Sequence, residues 1–151
     1  MPNPLQSPIQ QRTFIKAPPE KVYDTITSAA EWDAFFTTGM ELDPSPGGMM
    51  NFAWEDWGPD FYTLIVPGKV LEADRPRRFV FEWGSKNRSV VSFDLEAKHG
   101  GTVVTCREEG YTDHPDSIRA CLECASGWGE AMTLLKYYIE HGIVYSPPEK
   151  E

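Results

Sequence analysis

Two periodicities divide the chain. Between Met50 and Cys106 apolar residues recur mainly at every second position, and between Pro115 and His141 at every third or fourth. The first spacing is that of half-buried strands and the second that of an amphipathic helix. In the alternating region Met50, Phe52 and Trp54 share one face, with Met49, Asn51, Ala53 and Glu55 on the other. Phe79, Phe81 and Trp83 repeat the pattern, followed by Val91, Phe93 and Leu95, then by Val104 and Cys106. The connections Gly84–Arg88 and Lys98–Gly101 are short enough for hairpins. An antiparallel meander with one apolar face results, and such a sheet needs a cover.

The cover is the helix that Pro115 begins, with Asp113 or His114 as its cap and Gly142 as its stop. Ile118, Cys121, Leu122, Ala125, Trp128, Met132, Leu135 and Ile139 form its expected apolar stripe. At about 1.5 Å per residue the helix is about 40 Å long, enough to cross a sheet diagonally. Gly127 and Gly129 flank Trp128 in its interior. Each costs about 1 kcal/mol relative to Ala, which predicts a close backbone approach or a bend there.

Ahead of the meander, Ile9–Lys16 reads as a first strand and 19–27 as a short helix carrying Val22 and Ile26. Ser28 and Glu31 have capping-box spacing and open a second short helix, Ala29–Phe36, with Trp32, Phe35 and Phe36 on its buried side. Met40–Asp43 is a short strand, and Asp43–Gly48 a turn by composition. Asp56–Asp60 reads as a loop. Phe61–Leu71 reads as one strand with a bulge or edge irregularity at Pro67-Gly68. The fold class is α+β: a helix-grip fold, with a curved antiparallel sheet of about seven strands wrapped around a long C-terminal helix. The expected organisation is a flexible arm (1–8), a single domain (9–142) and a C-terminal tail (143–151), disordered from Ser146.

Net charge of −9 and the lack of a basic cluster longer than Arg75-Pro76-Arg77-Arg78 argue against nucleic acid and anionic membranes as partners. There is no apolar run of membrane-spanning length and no signal-peptide pattern, and the three Cys are an odd number, so a cytoplasmic protein with free thiols is expected. The common signatures of nucleophile elbow, P-loop and dinucleotide binding are absent. No cofactor is expected.

The chain resembles the heat-shock-protein ATPase activator homology family of the START-like (SRPBCC) superfamily. The residues that carry the resemblance are Ala17-Pro18, Glu20, Val22 and Trp32, then Pro46-Gly47-Gly48, Gly68, Val70 and Glu72. The block Arg77–Trp83, the hairpin Gly100-Gly101-Thr102 and the helix pair Gly127-Trp128 complete it, over about residues 9 to 141. The resemblance implies a deep, mostly apolar pocket between sheet and helix. Relatives use that pocket for lipids, sterols, polyketides and plant hormones; some are enzymes that cyclise or hydrate a substrate, and one branch stimulates a chaperone ATPase. It leaves the choice among these open.

Several residues invite chemistry. Cys121-x-x-Cys124 lies about two turns inside the helix rather than at its N-terminus, and nothing completes a four-ligand zinc site, so these read as small buried thiols. His99, His114 and His141 are scattered, and no metal site is expected. Glu108 shares strand parity with Val104 and Cys106 and can point into the cavity; its place at a strand end near Gly110 favours a solvated or Arg-paired side chain. Trp54, Trp83 and Trp128 come from three elements, as a packed core or as a ligand wall. The leading expectation is binding of a small hydrophobic molecule, without catalytic residues. Its cavity would be walled by Phe36, Trp54, Phe81, Trp83, Phe93, Trp128 and Met132, with Glu108 as the polar contact. The alternatives are a module that modulates a chaperone or other protein partner, and a cyclase- or hydratase-like enzyme using Glu108. Monomer and homodimer both fit.

Overall fold

The computed structural model describes residues 1–147 and 149. Strand β1 (Ile9–Ile15) is followed by helices α1 (Pro19–Ile26) and α2 (Ala29–Phe35), then by strands β2 (Glu41–Leu42), β3 (Met50–Trp57), β4 (Tyr62–Val66), β5 (Gly68–Asp74), β6 (Arg78–Trp83), β7 (Ser89–Lys98) and β8 (Gly101–Glu109), and by helix α3 (Pro115–His141). All strand pairs are antiparallel, in one sheet ordered β1-β8-β7-β6-β5 and a second ordered β2-β3-β4. A Met49–Lys69 bridge and paired Gly47, Gly48 and Val70 backbone groups join the two where β3 passes β5. The architecture is the expected helix-grip α+β fold.

Local chemistry accounts for the element ends. Ser28 accepts a hydrogen bond from the Glu31 N–H at the start of α2. His114 caps α3 by accepting from the Asp116 N–H at 3.1 Å, and Gly142 ends that helix at φ 67°. The side chain is free to be anything at neither place, because helix ends leave backbone groups that need partners.

Three expectations fail in the alternating region. The single strand over 61–71 is two strands, because Pro67 lacks a donor and the chain changes sheets there. The register shift falls later, between Val70 and Glu72. The loop placed at 56–60 begins late: β3 runs on through a second register shift to Trp57, whose ring is buried against Phe36 and Tyr145 at 5.7 and 5.0 Å.

The N-terminal arm and the segment just after α3 are tied down. The arm bridges Pro4 to Thr112, and the Asn3 backbone and amide N–H groups donate to the Asp113 carboxylate at 2.9 and 3.1 Å. Tyr145 donates its N–H to the Ala34 carbonyl at 3.0 Å, so the chain is held just before the stretch where disorder was expected. Of that stretch, residues 148, 150 and 151 lie outside the described residues.

The core is an aromatic layer between sheet and helices. Trp32 packs on Phe35 and Phe52 at 5.0 and 5.2 Å, Phe52 on Trp83 at 4.7 Å, and Phe93 on Trp128 at 5.7 Å. Helix α3 joins this layer through Trp128, Ala131, Met132 and Leu135, all buried. Its first half behaves differently. Ile118 and Leu122, expected on the apolar stripe, are 39% and 67% exposed. The buried Cys121 faces the chain around Pro8 there, and Gln11 of β1 donates to the Ala125 carbonyl at 3.1 Å, so the helix rests on β1 along a narrow line.

Candidate functional site

Where the first half of α3 leaves the sheet, a cleft of about 1160 Å³ opens. On the helix side it is lined by Ser117, Ala120, Cys124 and Gly127, which recur at helical spacing with no bulk to fill the gap. On the sheet side it is lined by Phe36, Trp54, Trp83 and the inner side of β4, including Leu64 and Val66. The cleft is therefore as much a product of small residues on one wall as of aromatic residues on the other.

Glu108 lies at its floor and is wholly buried. Strand parity sets this orientation: Ile9, Val91 and Glu108 lie side by side across β1, β7 and β8, and all three are buried. Two indoles reach the carboxylate, Trp128 donating to Oε1 at 2.7 Å and Trp83 to Oε2 at 3.0 Å. The Tyr111 hydroxyl donates to Oε2 at 2.8 Å, and the Ser89 hydroxyl donates to the same oxygen in a very short contact. The reading of Glu108 as solvated or Arg-paired is thereby overturned. Its position beside Gly110 is a strand end in sequence only, because Tyr111 and Trp128 of α3 reach it in space.

The four donors come from β6, β7, α3 and the segment after β8, so one carboxylate ties the sheet to the helix. Four neutral donors on two oxygens suit the charged carboxylate, which accepts all of them. Neighbouring thiols and the phenol feel both burial and that charge. Burial, then the Glu108 carboxylate, hold the Cys106 thiol well above its usual value of 9.0. Burial first, and then the Cys124 thiol and Glu108, push Tyr111 far above the ordinary phenol range. Cys121 and Cys124 are raised as well, in both cases mainly by burial. All three cysteines are free thiols. Raised values are the opposite of what a redox pair needs.

Of the residues expected to wall the cavity, Phe36, Trp54, Trp83, Glu108 and Trp128 do line the cleft. Phe81, Phe93 and Met132 do not. Phe81 and Phe93 stack at 6.4 Å in the layer behind, and Met132 lies one helical turn past Trp128, where α3 already sits on the core. Trp54 is fixed by donating to the Phe36 carbonyl at 2.8 Å, separately from the Glu108 cluster. Of the two reasons expected for Gly127, a close neighbour is ruled out. A Cβ there would meet nothing within 4 Å, so the glycine widens the cleft instead of admitting a close neighbour. The sequence reading missed Tyr111, Ser89 and the small-residue face of α3. The spacing of 117, 120, 124 and 127 was a visible signal for the last of these.

Among the described residues, no three His, Cys, Asp or Glu are grouped as metal ligands, and no helix is long and apolar enough to cross a membrane.

A long helix gripped by a curved antiparallel sheet, with a cleft between them, defines a START-like protein of the SRPBCC superfamily. Residues 16–140 match the family described as "Activator of Hsp90 ATPase homolog 1-like protein", and the chain belongs to that family. Solved structures of similar fold include NE0264 from Nitrosomonas europaea, with a TM-score of 0.76 and 16% identity over 93% of this chain and 99% of that one. The Aha1 dimer from Colwellia psychrerythraea has a TM-score of 0.73 and 19% identity, over 89% of this chain and 96% of that one. DynU16, a protein in the dynemicin biosynthetic locus, has a TM-score of 0.75 and 16% identity, over 91% of this chain and 49% of that one. No curated protein matches the chain. The family is consistent with ligand-binding and interaction roles.

Proposed function

We propose that the protein binds a small hydrophobic molecule in the cleft between α3 and the sheet. The observation that carries this reading is the cleft itself, about 1160 Å³ with aromatic residues on one wall and small residues on the other. Typical ligand pockets hold about 300–1,000 Å³ and combine apolar walls with a few placed polar groups. A ligand there gains by burying its own apolar surface, at about 25 cal/mol per Å² before association costs, against walls that include the half-buried Trp83. The similarity to a protein from a biosynthetic locus supports a small organic molecule as the occupant.

The enzyme alternative is less well supported. A general base must come within hydrogen-bond reach of its substrate, and Glu108 is wholly buried behind its own donors. The interaction-module alternative has one observation in its favour: Leu64, Ile65 and Leu122 are 48%, 66% and 67% exposed. A cytoplasmic location and a monomeric or dimeric state complete the reading; free thiols fit the first.

The test is native mass spectrometry of the protein purified from its own host. The expected result is a co-purifying small molecule that is lost from Gly127→Leu, whose side chain would occupy the cleft. A ligand retained by that variant would place the binding elsewhere.

A further inference from the structure

The charges around the cleft narrow what kind of apolar molecule fits it. Glu108 is 0% exposed, and its four partners are two indoles, a phenol and a serine hydroxyl. None of these carries a charge, and no ion pair among the described residues includes Glu108. A buried carboxylate is ordinarily paired, because desolvating an unpaired charge is costly. Here the negative charge is held by hydrogen bonds but not cancelled.

The rim does not cancel it either. Asp116 and Glu123 line the cleft on the helix side. Opposite them stand Arg88, already paired with Glu82 at 3.2 Å, and Lys86, whose single positive charge is outnumbered by the two rim carboxylates. His114 also lines the rim, with Nδ1 committed to the cap of α3. The inner wall is aromatic: Trp83 and Trp128 lie 5.3 Å apart, Trp54 also lines the cleft, and the three N–H groups are committed to acceptors of the protein. An indole that donates its N–H to an anion carries more electron density on its face, and indole faces attract cations.

We propose that the occupant of this cleft is a cationic apolar molecule, an amine or quaternary ammonium whose charge rests on the Trp83–Trp128 wall above Glu108. The proposal rests on the cleft being a ligand site. The cation compensates the buried carboxylate without displacing any of its four donors. Anionic amphiphiles such as fatty acids are excluded by the same charge. The preference for cation over neutral analogue is about tenfold to a hundredfold, from a desolvated cation–π contact together with Coulomb attraction across one side chain's width.

Three fluorescent probes of one shape test this: 1-pyrenemethylamine, 1-pyrenemethanol and 1-pyrenecarboxylate. Binding is read by energy transfer from the cleft tryptophans in the full chain. The expected order is amine about tenfold or more tighter than alcohol, with carboxylate weakest. Gly127→Leu weakens all three, which places them in the cleft. Glu108→Gln brings amine and alcohol to within about threefold, while Glu96→Gln, an equal charge change on β7 away from the cleft, leaves the order intact. The wild-type series needs no variant, so a misfolded Glu108→Gln does not obscure the result. Alcohol or carboxylate binding as tightly as the amine, or a preference that Glu96→Gln abolishes, overturns the cation and leaves the cleft as a site. If none of the three binds, the cleft reading falls with it.

Discussion

Glu108 ties the sheet to α3 through the hydrogen bonds it accepts. Its carboxylate is the common acceptor for Trp83, Ser89, Tyr111 and Trp128. Glu108→Leu leaves buried donors without an acceptor, and a hydrogen bond to a charged group is worth about 1.5–3 kcal/mol. The variant is expected to lose about 3 kcal/mol or more in urea denaturation at neutral pH, and a loss within measurement error would show that the cluster is not holding sheet to helix. A second prediction concerns pH. The unfolded chain releases the Cys106 proton near pH 9.0, whereas burial keeps the folded thiol protonated well above that. This contribution to stability is fully present below 9.0 and is lost as pH rises beyond it. Tyr111, Cys121 and Cys124 are raised too and act in the same direction. Denaturation midpoints should therefore fall on the alkaline side of 9.0, with a shallower fall in Cys106→Ala.

At the scale of elements, two glycines make opposite predictions. A Cβ on Gly68 would stand 2.6 Å from the Met50 carbonyl oxygen and 2.7 Å from that of Glu82, where β5 begins between β3 and β6. Both neighbours are backbone and cannot turn aside, so Gly68→Ala should cost about 2 kcal/mol, in the range of core overpacking. Gly127 faces open space, so Gly127→Ala should raise the melting temperature, reflecting a helix-propensity gain of about 1 kcal/mol. A fall in melting temperature for Gly127→Ala would mean that α3 needs flexibility there. The period of apolar residues had located nearly every element, and α3 spans the very residues that its caps predicted. What periodicity could not show was which part of an apolar stripe is covered. Ile118 and Leu122 fit the pattern as well as Trp128 does, but the sheet does not extend beneath them.

For the whole molecule, the cleft is the space between the first half of α3 and the sheet. Helix α3 is seated on the core by Trp128, Met132 and Leu135, and along β1 by Gln11, which donates to the Ala125 carbonyl. The β3–β4 ribbon forms the far wall, with Leu64 at 48% exposure on its edge strand. Because the helix is held on two sides, filling the cleft should leave the fold standing. Gly127→Leu is expected to unfold within about 1 kcal/mol of the parent while losing probe binding, since a volume-filling change at an open site meets no packed neighbour. Loss of binding accompanied by a large loss of stability would instead mark Gly127 as part of the packing.

The sequence by itself determined the elements, because each depends on contacts a few residues apart: strand alternation, helical spacing, Ser28 and His114 as caps, Gly142 as a stop. It also determined that Glu108 shares a face with Val104 and Cys106, since parity along a strand is a local rule. The tertiary structure decided what that face meets. Trp83 lies 25 residues before Glu108 and Trp128 lies 20 after it, and only strand register and helix docking bring their N–H groups to one carboxylate. The same holds for Phe81, Phe93 and Met132, which sequence pattern could not tell apart from true cleft residues. Periodicity reports which side of an element is apolar; whether that side meets another element or an open cleft depends on how the elements diverge in space.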